Sequence, residues 1–288
     1  MSAFSNLELK SFNTLTDAKL DWTVSKRPLY TRTLDAFEPV PNSQALVRDD
    51  TNETISIVSN RYQPIQNHQL VEFFQKFCEN SQGQITHGGH FNNRDVVLYA
   101  DLNLKALAGD TEEHKFYLLA RSGHYPGSAL QILLSTIRVI CTNQFNNINS
   151  SEKGFFYSWH NIEFTKDTQT QAFDVLSKAR HFLNTFQDEL RFLMAKPISD
   201  FKAKELILNQ LGDPTKTFDE QPKNIHRIYN LFQDTPTGHQ PKHDGTAYKL
   251  WNSVTETIDQ HSKGRGRSAL IGTGQAAKYD FFNALKAA

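Results

Sequence analysis

Apolar and polar positions alternate on two different periods along this chain, and the change falls near residue 165. In the first half the alternation is short. Ala45–Arg48 and Thr54–Val58 are strand-like runs separated by Asp49-Asp50-Thr51-Asn52, a polar turn of the kind that hairpins use. Gln84–Phe91 and Val96–Leu102 repeat that arrangement across Asn92-Asn93. His114–Arg121 follows, and then Ala129–Cys141, the longest apolar run. Within it Leu130, Ile132 and Leu134 share one strand face, and Leu133, Ile137 and Val139 the other. This predicts a strand buried on both sides. A further strand is expected around Phe155–Phe164. One helix interrupts: after Asn67 as N-cap, Leu70, Val71, Phe74, Phe77 and Cys78 recur at helical spacing, predicting a helix over His68–Glu79. Ahead of these elements, residues up to about Lys26 are polar and expected to be loosely held, with a short helix around Thr16–Leu20. Lys26-Arg27-Pro28-Leu29-Tyr30 reads as extended or turning, because proline disfavours helix at the residue before it.

The second half has a helical period. From Thr168 to Ala195, the residues Phe173, Leu176, Leu183, Phe186, Leu190 and Leu193 recur every three or four positions, predicting a long amphipathic helix that ends before Pro197. Ser199 or Asp200 caps a shorter helix through Leu211, and Gly212 stops it. Helices are expected over Asn224–Phe232, over Ala247–His261 with Leu250, Trp251, Val254 and Ile258 as buried stripe, and over Gln275–Leu285. Asp234–Gly245 and Lys263–Gly274 read as loops. The expected fold class is α+β: a mainly antiparallel sheet region followed by a helical region with a long amphipathic helix. We divide the chain into an N-terminal extension (1–40), a sheet-rich region (41–165) and helices packed on the sheet (166–288), together one composite domain.

Composition narrows the partners. The chain has 288 residues, with 31 acidic and 31 basic side chains. No global field draws it to a polyanion, and a nucleic-acid site must be a local patch. Cys78 and Cys141 alone exclude a disulfide framework and fit a reducing compartment. The first residues lack the basic and apolar segments of a signal peptide, and no run is apolar enough to span a bilayer. The expectation is a cytoplasmic protein with no membrane contact.

The candidate chemistry is sparse. Arg138 sits among apolar neighbours on its strand face, a position that costs several kcal/mol unless the charge is paired. It either meets an internal carboxylate such as Glu163 or Asp101, or joins Arg121 in holding a phosphate. The polar knot Thr142-Asn143-Gln144 can offer amides to a base edge or a backbone phosphate, or cap the following turn. In the loop after His261, the residues Lys263, Arg265 and Arg267 alternate with glycines that let a polyanion approach. An alternative pocket would use Cys141 as nucleophile with His124 or His160 as base, although the end of an apolar strand favours an inert thiol. His87 and His90, three apart, fall on opposite faces of a strand. Asp95 and Asp101 share a face but lie roughly 20 Å apart, too far to share one ion. No metal and no cofactor is expected.

The order of short motifs resembles the phage/plasmid-like protein family known as domain of unknown function 932. The matching pieces are Asp21-Trp22 with Lys26–Tyr30, Arg61–Asn67, Ser122-Gly123-His124 with Gly127-Ser128-Ala129, and Ile137–Asn143. Near the end come Thr246-Ala247, Trp251-Asn252, Val254-Thr255-Glu256 and Gly272-Thr273-Gly274 with Lys278. Gly123-His124-Tyr125-Pro126 departs from the family's more usual His-Asp pair followed by Gly. The resemblance implies a setting in phages, prophages or plasmids and carries over no catalytic residue. The leading expectation is a non-enzymatic protein of replication or recombination that binds nucleic acid, single-stranded DNA foremost. Arg121, Arg138, Lys263, Arg265 and Arg267 would meet phosphates, and Asn143 and Gln144 would line the groove. The rivals are an enzyme or inhibitor built on His124, Cys141 and His160, and a structural or host-interaction protein. Self-association is left open.

Overall fold

A computed structural model describes residues 9–34, 36–81, 83–108, 112–138, 144–146, 156–159, 175–234, 244–261 and 273–288. The architecture is α+β, with antiparallel sheets in the first half and helices in the second. A small three-stranded sheet runs β2 (Val24–Arg32), β3 (Phe37–Arg48), β4 (Thr54–Ser59). The main sheet is seven-stranded. Its order is β1 (Lys10–Ser11), β5 (Gln84–Phe91), β6 (Asp95–Ala108), β7 (Glu112–Gly123), β8 (Ala129–Arg138), with β9 (Gln144–Asn146) and β10 (Phe156–Trp159) both pairing β8. The β5–β6 turn is made by Asn92 and Asn93 at φ 51° and 56°, the left-handed pair that matches the twist of a tight hairpin. From Arg121–Gln131 to His114–Arg138 the β7–β8 register runs without a shift.

Strand alternation gives the main sheet two buried faces. Val96, Leu98, Ala100, Phe116, Leu118, Ala120, Leu130 and Ile132 belong to the larger core. Val97, Tyr99, Tyr117, Leu119 and Leu133 form a second cluster with Leu9 and Phe91. The larger core receives α1 (Asn67–Ser81) and α2 (Val175–Ala195), both packed on β6. Phe186 of α2 is the hub: its ring meets Phe116 of the sheet, Trp251 and Phe282, at centroid distances of 6.0, 6.4 and 6.2 Å. The remaining helices are α3 (Asp200–Leu211), α4 (Lys223–Gln233), α5 (Ala247–Glu256) and α6 (Thr273–Ala287). None of the described helices is long and apolar enough to cross a membrane.

Three sequence expectations need correction. The N-terminal segment is held, not loose: Leu9, Phe12, Ala18, Leu20, Trp22 and Val24 are all buried. In place of the helix expected over Thr16–Leu20 there is a turn. Thr14 and Asp17 bond each other's backbone N–H, but Lys19 enters the left-handed region at φ 56° and ends the coil. Gly212 caps α3 as expected, at φ −82° and with its N–H donating to the Leu208 carbonyl. Its side is closed to a Cβ, which would fall 2.8 Å from the Leu208 carbonyl oxygen. Finally, α5 has no exposed face, since Ala247 to Thr255 are all buried. Its polar residues bond back along the helix, Ser253 Oγ to the Lys249 carbonyl and Thr257 Oγ1 to the Ser253 carbonyl, among others. Such back-bonding offers the carbonyls a second donor and loosens the ladder. Directly beyond, the coil widens into a π turn over Thr257–His261. There Asp259 accepts from the fully buried Lys278 of α6 at 2.7 Å.

Candidate functional site

The turn after β7 is where the two sheets and α1 meet. Tyr62 Oη donates to the Gly123 carbonyl at 3.1 Å, and Ser56 Oγ of β4 donates to the His124 carbonyl at 2.8 Å. Burial pushes the Tyr62 phenol well up, so it stays a donor. Gly123 is required by space: a Cβ there would lie 2.3 Å from Ser128 Oγ and 2.5 Å from Tyr125 Cε1. Asn67, expected as a helix cap, is spent on tertiary anchoring. Its amide donates to the Leu20 and Trp22 carbonyls, at 3.2 and 3.0 Å. That orientation leaves Oδ1 to accept from His124 Nε2 at 3.0 Å. His124, 1% exposed, also packs on Trp22 at 5.2 Å between ring centroids. Trp22 in turn carries the Arg48 guanidinium 4.4 Å from its ring, held by both carboxylate oxygens of Asp50. The imidazole is therefore built into the junction between the sheets.

Arg121 lies on the second face of the sheet. It donates to Tyr125 Oη at 3.0 Å and to Gln131 Oε1 at 3.3 Å, and stands 3.5 Å from the fully buried Asp95. Tyr125 Oη donates to the same Asp95 oxygen at 2.8 Å. The backbone of Arg138 pairs with His114, and that of Gln144 with Ile137. Asn143, Lys263, Arg265 and Arg267 lie outside the described residues, as do Cys141, His160 and Glu163. Whether the basic loop meets Arg121 is thus not described. Asp101, a candidate partner for Arg138, accepts from the Asn103 N–H at 2.7 Å, where the β6–β7 register shifts. His87 pairs opposite Tyr99 and His90 opposite Val96, which puts the two histidines on opposite faces. Burial lowers both imidazole pKa values. Among the described residues, no group of three His, Cys, Asp or Glu side chains is placed to hold a metal ion.

A feature the sequence reading caught only in part is the outer half of the small sheet. β4 pairs β3 only between Ser43 and Val47, so β2 and β3 continue beyond it as a two-stranded ribbon. The register shifts between Pro28 and Tyr30, then sets Tyr30 opposite Pro39 and Arg32 opposite Phe37. Directly opposed residues point to one face, and so do residues two apart on a strand. Tyr30, Arg32, Phe37 and Pro39 therefore share one face of the ribbon. All four are exposed, Tyr30 at 56% and Phe37 at 72%, and Leu34 at the tip is fully exposed. Pro28, Pro39 and Pro41 remove amide donors from both strands and blunt the ribbon against strand addition. What the ribbon offers to its surroundings is therefore its side chains. In the sequence Tyr30 stands beside Lys26 and Arg27, but Lys26 Nζ is engaged by the Asn60 and Tyr62 carbonyls. Phe37 is joined to Tyr30 only by the register.

No curated protein and no solved structure matches this chain. The profile of the family described as Domain of unknown function (DUF932) matches residues 54–280, which takes in the Gly123 junction, Arg121 and Asp95, and begins just after the ribbon. Since that match covers most of the chain, the protein belongs to the DUF932 family.

Proposed function

We propose that this chain is a non-enzymatic nucleic-acid-binding protein that engages single strands during replication or recombination of a phage or plasmid in a bacterial cytoplasm. The observation that carries the reading is the ribbon face, where two exposed aromatic rings flank an exposed arginine and a proline. Unpaired bases stack on such rings with little regard to sequence, each worth about 1–3 kcal/mol. Arg32 adds a positive charge and a planar surface of its own. Lys263, Arg265 and Arg267 supply further cations in sequence. A chain with balanced net charge needs a local patch of this kind.

The test is fluorescence anisotropy with labelled single- and double-stranded oligonucleotides at two salt concentrations. Single strands bind more tightly, and affinity falls as salt rises because phosphate contacts release counterions. Replacing Tyr30 and Phe37 together by alanine weakens binding by roughly tenfold or more, with the thermal midpoint unchanged. No binding to single strands at low salt would end the reading.

A further inference from the structure

Arg48 and Arg121 are both largely buried arginines beside an aspartate, but they are held very differently. Arg48 meets Asp50 through two bonds, at 3.0 and 2.6 Å. Arg121 stands 3.5 Å from Asp95, whose oxygen takes a shorter bond from Tyr125 at 2.8 Å. A second guanidinium reaches the same place. Arg94 lies with its Cζ 4.9 Å from the centre of the Tyr125 ring, and its carbonyl accepts from the His124 N–H at 2.8 Å. Arg94 is partly buried and forms no ion pair or hydrogen bond through its side chain among the described residues. Two cations thus contact Tyr125, with Asp95 the carboxylate that Arg121 and Tyr125 share.

Three polar atoms around this ring are buried without a hydrogen-bond partner: Arg94 Nε, Arg121 Nε and Ser128 Oγ. Ser128 is tied to the same turn, its N–H donating to the Tyr125 carbonyl at 3.2 Å. A buried donor left unmade costs about 1–3 kcal/mol, and an uncompensated charge costs more. Asp95 compensates the charge of Arg121, but the three atoms stay without a partner among the described residues.

We propose that Arg94, which lies against the Tyr125 ring, and Arg121, which bonds its hydroxyl, form a binding site for a phosphoryl group, with Ser128 as a further donor. Guanidinium forks fit the oxygens of phosphate, and its several oxygens can satisfy donors arriving from different directions. Asp95 and Tyr125 position Arg121 and leave the site with a net positive charge. This inference rests on the turn after β7 and not on the ribbon, so the two can fail separately. The phosphoryl group could belong to a nucleic-acid strand or to a free phosphate compound, and the experiment separates them.

The full-length protein, labelled with 15N-arginine, is titrated with inorganic phosphate and with pyrophosphate at constant ionic strength, using chloride as the control. The Nε–Hε signals of Arg94 and Arg121 are expected to shift and saturate with phosphate and not with chloride. Arg94→Gln, which abandons no carboxylate and should leave the fold intact, weakens phosphate binding on the order of tenfold. Arg94→Lys, which keeps the charge but loses the fork, falls between. Arg121→Gln is a second variant, read only if its melting temperature shows a folded protein. A lack of saturable shift, an equal response to chloride, or undiminished binding by Arg94→Gln would overturn the proposal. Competition then identifies the source. If a single-stranded oligonucleotide displaces phosphate, even from the Tyr30→Ala/Phe37→Ala protein, the group belongs to a strand. If phosphate binds and no oligonucleotide competes, the site takes a free phosphoryl compound, and the inference stands while the ribbon reading is decided by its own anisotropy test.

Discussion

The strands β2 and β3 are two different structures along their length. At the base, Val24 and Ala45 to Arg48 are buried, and the strands are locked to the rest of the chain by side chains standing in for backbone. Gln66 bonds both the N–H and the carbonyl of Val24, as a neighbouring strand would. Lys26 donates to two carbonyls of the segment after β4, and Asp49 accepts from Thr23 and Ser25. From Tyr30 and Pro39 outward the same two strands pair, among the described residues, only with each other. A two-stranded ribbon by itself is marginal in water. That Tyr30, Leu34 and Phe37 stay exposed there separates residues that hold the fold from residues free to meet something else.

The largest expected effect lies at the base. Trp22→Ala removes a ring that packs on His124 and His90 and carries Arg48. It should cost about 3–5 kcal/mol, the usual range for a buried aromatic, measured by denaturant unfolding. A loss as small as that of a surface residue would break the contrast. Gly123→Ala comes next. Its Cβ must displace Ser128 and Tyr125, and overpacking of this kind costs about 1–3 kcal/mol. Tyr30→Ala and Phe37→Ala should each change stability by less than about 0.5 kcal/mol, as surface substitutions do. A larger loss would mean that the ribbon face is packed.

The smallest effect is on acidification. Hydrogen bonds from Ser25 and then Thr23 hold the Asp49 carboxyl below its usual range, and the bond from Arg48 does the same for Asp50. A lowered folded pKa gives stability that is full above the ordinary carboxylate value and lost as pH falls through the folded one. The base of the small sheet should therefore loosen below about pH 4, with faster amide exchange at Val24 and Ser25. Both carboxylates are substantially exposed, so the change is modest. Exchange there that is independent of pH would show that these bonds contribute nothing.

The elements carried by a regular period were legible in the sequence. The Asn92-Asn93 hairpin, the helix after Asn67 and the two-sided burial of the Ala129 strand follow from local pattern, and the structure has them. The N-terminal segment was not legible, because Phe12, Ala18, Leu20 and Trp22 are buried from a turn and have no period to show. Nor was the all-round burial of α5, since Ser253 and Thr257 look like surface residues until their bonds back to the helix are seen. The same limit governs the candidate sites. Arg121 stood out as a cation in the sequence, whereas its tie to Asp95 comes from strand register. Tyr30 was visible beside basic residues, but Phe37 joins it only through pairing across the ribbon.

Amide hydrogen exchange with and without a single-stranded oligonucleotide tests the contrast most directly. In the free protein, amides at the base, such as Val47 and Arg48, should exchange slowly, while those of Thr31, Arg32, Phe37 and Glu38 exchange fast. On adding the oligonucleotide, the ribbon amides should slow and the base should stay as it was. A ribbon already protected in the free protein, or one whose exchange the oligonucleotide leaves unchanged, would contradict the account.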